Sequence, residues 1–180
     1  MNIPTTYYGN GCTPIGGTDK PCETRIINTY DNEDQKNGTY YYPQALTAGS
    51  SGNSVTTDNT DSPDSFCPLG WQVPYGGTGG DYYNKSKSWN YLVVTYSLGQ
   101  DESSSRRIRS YPLSYVLPGG LDGAVGKLYG QTLSGLYWTL TNKDTNKTYR
   151  INFWQTGIGT LVTEGNTKWY AYAFRCVTRY

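Results

Sequence analysis

The chain has 180 residues, with 15 lysines and arginines against 14 acidic residues and no histidine. That length suits one domain around one core, and the missing imidazole excludes a Ser-His-Asp or Cys-His nucleophile, a histidine-ligated zinc and a histidine pH switch. A formal net charge of +1 gives no reason to expect nucleic acid or an anionic membrane as partner, and no run approaches the roughly 18 apolar residues of a membrane-spanning helix.

Residues 1–66 are polar and punctuated by Gly9-Asn10-Gly11, Gly16-Gly17, Asn37-Gly38 and Gly49-Ser50-Ser51-Gly52. Met1–Pro4 carries no basic segment followed by an apolar one, so an export signal and any anchor are expected to lie outside the sequence. Arg25–Tyr30 and Thr39–Tyr42 are strand candidates, and residues 49–65 read as a surface loop. Four cysteines permit three pairings; a ring closed by Cys12 and Cys22 would staple the first loop. Low charge and heavy use of Asn, Thr, Ser, Gly and Tyr suit an oxidising, extracellular setting, where cysteines pair.

Further along, Trp89, Leu92, Val93 and Tyr96 fall at i, i+3, i+4 and i+7, which predicts a helix. Ser86 or Ser88 would cap its start, and Gly99 would lie beyond its end. The β-branched Val93-Val94-Thr95 run works against it. Asp101 to Arg109 reads as a charged loop, with Arg106-Arg107-Ile108-Arg109 a solvated face rather than a phosphate clamp. The last third reads as β. Leu136–Asn142 and Lys147–Trp154 form a hairpin around Lys143-Asp144-Thr145-Asn146. Thr160–Thr163 and Trp169–Val177 form a second around residues 164–168, and alternation of Tyr170, Tyr172 and Phe174 with Ala171, Ala173 and Arg175 predicts two unlike strand faces. Early helices and late antiparallel strands make a single α+β domain over 1–180, with a loop-rich part to residue 66.

Four segments also carry a family pattern. Cys67-Pro68-Leu69-Gly70-Trp71-Gln72-Val73-Pro74, Trp89-Asn90-Tyr91-Leu92, Tyr137-Trp138-Thr139-Leu140-Thr141 and Phe174-Arg175-Cys176-Val177 stand in order over residues 67–177. Together they resemble the major paralogous domain family named from Fibrobacter succinogenes. Tyr40–Ala48 resembles a stretch that precedes it in Bacteroidetes members. The resemblance implies a C-type-lectin-like fold in exported, often lipid-anchored surface proteins, related to some pilus tips and to the variable proteins of diversity-generating retroelements. It also implies a Cys67–Cys176 disulfide tying the first long helix to the last strand, which leaves Cys12 with Cys22. The Glu-Pro-Asn, Gln-Pro-Asp and Trp-Asn-Asp triplets of calcium-dependent lectins are absent, since Tyr91 follows Trp89-Asn90. Calcium-dependent sugar binding is therefore not implied.

Asp58, Asp61 and Asp64 fit no calcium loop and read as a carboxylate-rich surface. Asn142, Asp144 and Asn146 alternate oxygen donors, but a hairpin turn wants those residues anyway. Asp101-Glu102 and Glu33-Asp34 are adjacent carboxylates with nothing to make them converge on a glycosidic bond. No cofactor or metal is expected. Gly70, Trp71, Pro74 and Trp138 are expected to be structural, with both tryptophans in the core. The 19 Tyr and 5 Trp against 3 Phe supply aromatic surface with polar handles. The candidate ligand residues are Asn142, Asp144, Asn146, Tyr149, Trp154, Asn166, Lys168, Trp169, Tyr170 and Tyr172. The expected function is a non-enzymatic surface binding domain, an adhesin or pilus-tip module for a protein or glycan on a host or microbial surface, with pilin subunits as further partners. A retroelement-diversified binder and a structural envelope module are the alternatives.

Overall fold

A computed structural model describes residues 6–8, 23–25, 40–46, 60–61, 65–78, 81–159 and 165–178. The elements are β1 (Thr6–Tyr8), β2 (Glu23–Arg25), α1 (Pro43–Leu46), β3 (Thr60–Asp61), α2 (Asp81–Asn84), α3 (Trp89–Thr95) and α4 (Glu102–Arg109). Then come β4 (Gly120–Asp122), β5 (Lys127–Tyr129), β6 (Ser134–Asn142), β7 (Lys147–Trp154), β8 (Gly157–Ile158), β9 (Gly165–Thr167) and β10 (Tyr170–Tyr172). All pairings between these strands are antiparallel. β1 pairs with β2, a small sheet runs β10-β4-β5, and a larger one runs β3-β6-β7, with β8 and β9 sharing the far edge of β7. Short helices with antiparallel sheets make the protein α+β. Among the described residues no helix is long and apolar enough to cross a membrane.

The β6–β7 hairpin organises the rest. Both faces of β6 are covered, because its side chains serve two cores in alternation. Leu136, Trp138 and Leu140 pack with Tyr41, Leu46, Val73 and Tyr172. Tyr137 turns the other way, toward Trp89, Leu92, Ile108 and Tyr115, joined there by Tyr149, Ile151 and Phe153 of β7. Gly135 is required at the hairpin's open end, since a Cβ there would collide with the Phe153 ring opposite it. Among the described residues a third cluster, Tyr40, Leu121 and Ala171, lies under the small sheet.

Helix α3 forms as its spacing predicts. Ser88 is the N-cap, its Oγ accepting the Tyr91 N–H at 3.0 Å. Gly99 lies beyond its end as expected, but it is not the residue that stops the helix. Ser97 takes the left-handed conformation (φ 48°), and Leu98 N–H reaches back to Val93 O at 2.9 Å, so the stop is a Schellman-type motif two residues before Gly99.

Asp101 to Arg109 is not a loop. Asp101 caps α4 by accepting the Ser104 N–H at 2.8 Å, which holds its carboxyl below the ordinary range. Ile108 is the one large apolar residue on the buried face, which otherwise consists of Ser104 and Ser105. Such a face gives hydrophobic periodicity little to detect. Ser105 Oγ donates to the Trp154 carbonyl, so small polar residues seat the helix against the end of β7.

The second predicted hairpin is likewise overturned. Gly165–Thr167, expected as its turn, pairs as β9 with Lys147–Tyr149 of β7, and β10 pairs with β4 instead. Residues 160–163 lie outside the described residues, as do Cys12, Cys22, Glu33, Asp34, Asp58 and Asp64. β10 ends at Tyr172, and both Tyr172 and Ala171 are buried, because a core covers each face. Beyond it Ala173 O accepts the Trp138 N–H at 3.0 Å, which stitches the two sheets together.

Cys67 and Cys176 form a disulfide with a Cα–Cα distance of 5.7 Å. Neither lies in a helix or strand; beside them Gln72 and Val177 exchange backbone hydrogen bonds of 2.9 and 2.7 Å. Gly70 shapes the intervening turn at φ 83°. Pro74 is buried and its carbonyl accepts the Leu140 N–H. Trp71 is 49 % exposed and so does not belong to the core, because the turn directs it outward while Val73 takes the inner position. Asp61 is occupied structurally, accepting from Lys85, Tyr82 and Thr141.

Candidate functional site

Residues 110–135 carry no candidate residue of the sequence reading, yet they build one wall of an open basin among the described residues. Asp122-Gly123 and Gly126 turn β4 into β5, with Asp122 Oδ1 accepting the Ala124 N–H at 2.9 Å. Asp122 stands opposite Lys127 in the ladder, an opposite-charge pair that favours this register. The aspartate-glycine dipeptide between short apolar stretches is the signal that could have revealed the hairpin. Asp122, Val125, Lys127 and Tyr129 from this hairpin, with Asn166 and Tyr170, line an open basin of about 320 Å³.

Behind the basin lies a tyrosine network. Tyr170 stacks on Tyr172 at 6.1 Å between centroids and 16° between planes, and meets Tyr129 edge-on. Arg150 Nη1 at 3.0 Å and Asn166 Nδ2 both donate to the Tyr172 oxygen. With that oxygen's acceptor capacity filled, its proton goes to the Tyr129 oxygen, 2.6 Å away. Tyr129 then keeps its own proton for the basin. Asn166 Oδ1 accepts the Thr167 N–H, leaving one amide hydrogen of Nδ2 free of the network. The basin thus offers donors at Tyr129, Lys127 and Asn166, an acceptor at Asp122, and apolar surface at Tyr170 and Val125.

The sequence candidates divide. Asn166 and Tyr170 line the basin. Trp169 does not, but it is 41 % exposed and its carbonyl abuts Gly123 of the hairpin turn. Tyr172 is fully buried and supports the site from beneath. The other candidates lie apart. Asn142 is buried and accepts from Thr148 Oγ1 at 3.1 Å. Asp144 and Asn146 make an Asx turn, as turn chemistry alone would have them. Tyr149 faces the helical core, opposite to the direction a ligand residue needs. Trp154, at the far end of β7, is 43 % exposed. Lys168 is only 6 % exposed and its ammonium has no hydrogen-bond partner among the described residues. Burial holds its pKa below the ordinary lysine value, with Asp144 pulling the other way.

The adjacent carboxylates among the described residues both have partners within α4. Asp101 caps α4 and Glu102 holds Arg106 at 2.7 Å. Compared with known proteins, the chain matches no family model, no curated protein and no solved structure. The site therefore has to be read from its own chemistry.

The buried phenols set an alkaline limit. Burial pushes Tyr82, Tyr129 and Tyr172 above the ordinary value of 10, and Tyr137 up to about 12. A raised folded-state pKa stabilises the fold fully while unfolded phenols stay protonated, and that contribution is lost as pH rises through 10 toward the folded values. Lys168 works with the opposite sign but stands alone against four. The urea midpoint is therefore expected to fall between about pH 9 and about pH 11, with part of the phenolate absorbance appearing only on unfolding. If all the tyrosines ionise together near pH 10 in a protein that stays folded, these four phenols are not shielded from water in solution.

Proposed function

We propose that the chain is a non-enzymatic binding domain whose basin takes a sugar unit of a glycan, carried on a bacterial cell surface as an adhesin or pilus-tip module. The observation that supports this reading most is the mixture in one basin: a tyrosine face and Val125 beside separate hydrogen-bond donors and one carboxylate. Sugars present C–H faces and hydroxyls that both donate and accept, so they need both kinds of surface. The volume lies near the lower end of small-ligand sites. Asp122 is the single carboxylate lining the basin, and hydrolysis of a glycosidic bond uses two.

The four motif segments over 67–177 add a C-type-lectin-like scaffold and an extracellular, Bacteroidetes-type setting, with pilin subunits as neighbours. The Cys67–Cys176 pairing supports that scaffold, although neither cysteine lies in a helix or strand. Its cation-bound sugar site is not part of the proposal.

Glycan-array screening followed by titration of a hit tests the reading. Lys127→Ala and Tyr170→Ala are expected to weaken binding on the order of tenfold each. Lys127 is exposed and pairs only across the ladder with Asp122, so its variant loses less than about 1 kcal/mol and stays folded. Trp169→Ala, at the rim, weakens binding less. Binding that survives Lys127→Ala and Tyr170→Ala in a folded protein, capture only of a protein ligand, or turnover of the glycan would each overturn the proposal.

A further inference from the structure

The arginine run that sequence assigns to a solvated loop lies on a helix, and that changes what it can do. Ser103, Arg106, Arg107 and Ser110 fall at i, i+3, i+4 and i+7 of α4 and its C-cap, so they form one stripe. That stripe is one wall of a groove of about 430 Å³, closed by Tyr96 at the end of α3 and by Tyr111, Pro112 and Leu113. Tyr111 is 92 % exposed, a large aromatic left in water at the groove's lip.

The three arginines differ in how they are engaged. Arg109 turns to backbone carbonyls, with Nε on Ser105 O at 3.2 Å and Nη2 on Gln155 O at 3.4 Å. It supplies the cation that a helix C-terminus favours. Arg106 gives one nitrogen to Glu102 at 2.7 Å. The Arg107 guanidinium has no ion pair or hydrogen bond among the described residues. No carboxylate lines the groove. Two adjacent guanidiniums with planar donor forks, beside two phenol rings, match a carboxylate or sulfate bidentately.

The serines narrow the ligand further. Ser103 Oγ donates to Asp101 Oδ1 at 2.9 Å, and Ser110 Oγ donates to Arg106 O at 2.8 Å. With both hydroxyl protons turned to the protein, these oxygens present lone pairs to the groove. An anion that also carries O–H groups suits both features. We infer that the α3–α4 groove is a second binding site, for an anionic saccharide bearing a carboxylate or a sulfate. An acidic peptide side chain supplies the charge but no hydroxyls. The inference does not depend on the basin.

Amide NMR titrations with D-glucuronate and galactose 6-sulfate, beside D-glucose, D-galactose, sodium sulfate and a short polyglutamate peptide, test it. The charged sugars are expected to shift Tyr96 and residues 103–113 saturably. Arg106→Gln and Arg107→Gln, both exposed and so folded, should each weaken that binding roughly tenfold. Arg107→Lys should fall between, because it keeps charge but not the planar fork. Added salt should weaken it as well. The inference is overturned by an absence of shifts at the groove, by neutral sugars binding as well as charged ones, by inorganic sulfate or polyglutamate matching the charged sugars, or by insensitivity to Arg107→Gln.

Discussion

Replacing Cys67 and Cys176 together by serine is expected to lower the unfolding free energy by about 4 kcal/mol, close to the largest effect a single cross-link gives. The bond joins residues 109 apart. Opening so long a ring returns much conformational freedom to the unfolded chain, although native strain and residual structure reduce the measured figure. The folded state also has something to lose. The Gln72–Val177 pairing beside the disulfide and the Ala173–Trp138 hydrogen bond hold the last described segment against β6. Urea unfolding of the double variant, and of the wild type with and without reductant, measures the effect. A change under about 1 kcal/mol would mean that this segment's other contacts hold it without the bond.

Trp138→Ala should cost roughly 3–5 kcal/mol, the range for emptying a large buried aromatic site. Trp138 is completely buried at the centre of β6. Its ring centroid lies 4.5 Å from that of Tyr172, and its Nε1 donates to the Tyr41 carbonyl at 2.9 Å. It therefore joins the large sheet, the small sheet and the segment before α1 at one point. Trp138→Phe refills most of the volume but loses the donor, and about 1–3 kcal/mol of destabilisation is expected. The Ala variant also undermines Tyr172, which positions Tyr129 and Asn166. Ligand binding at the basin should thus weaken along with stability. Stability loss in Trp138→Ala with unchanged glycan affinity would separate the tyrosine network from the site.

The disulfide and Trp138 show what a sequence makes legible. Trp138 lies in a strand that the sequence shows and in a motif that marks it as core, and the structure buries it. The Cys67–Cys176 pairing came from the motif resemblance, since spacing alone left three pairings open. Trp71 sits in an equally conspicuous motif yet faces water, because the Gly70 turn decides its direction and no periodicity spans a turn. Tyr149 and Arg150 are neighbours on β7 with opposite fates, one facing the helices and the other Tyr172. Alternation says that they differ; it does not say which side holds the site.

The candidate site was half legible for the same reason. Asn166 and Tyr170 could be named as polar and aromatic residues near a turn. Asp122, Lys127 and Tyr129 could not, because they reach the basin only through the β4–β10 pairing, which joins segments about fifty residues apart. The two arginines of the groove are exposed, as a solvated face would have them, but the helix that carries them was not foreseen. With serines on the buried face, α4 offers no apolar stripe, and its seat on β7 is a long-range fact; only the Asp101 cap is a local signal.

By itself the sequence determined the α+β class, the α3 helix, the β6–β7 hairpin and the exclusion of histidine chemistry. Those follow from local terms: side-chain period, capping, turn residues and composition. Only the tertiary structure decided that β9 joins β7, that β10 joins β4, and which of the many tyrosines meet water. Strand partnership and burial depend on the shape of everything else packed against a residue, and no window along the chain contains that.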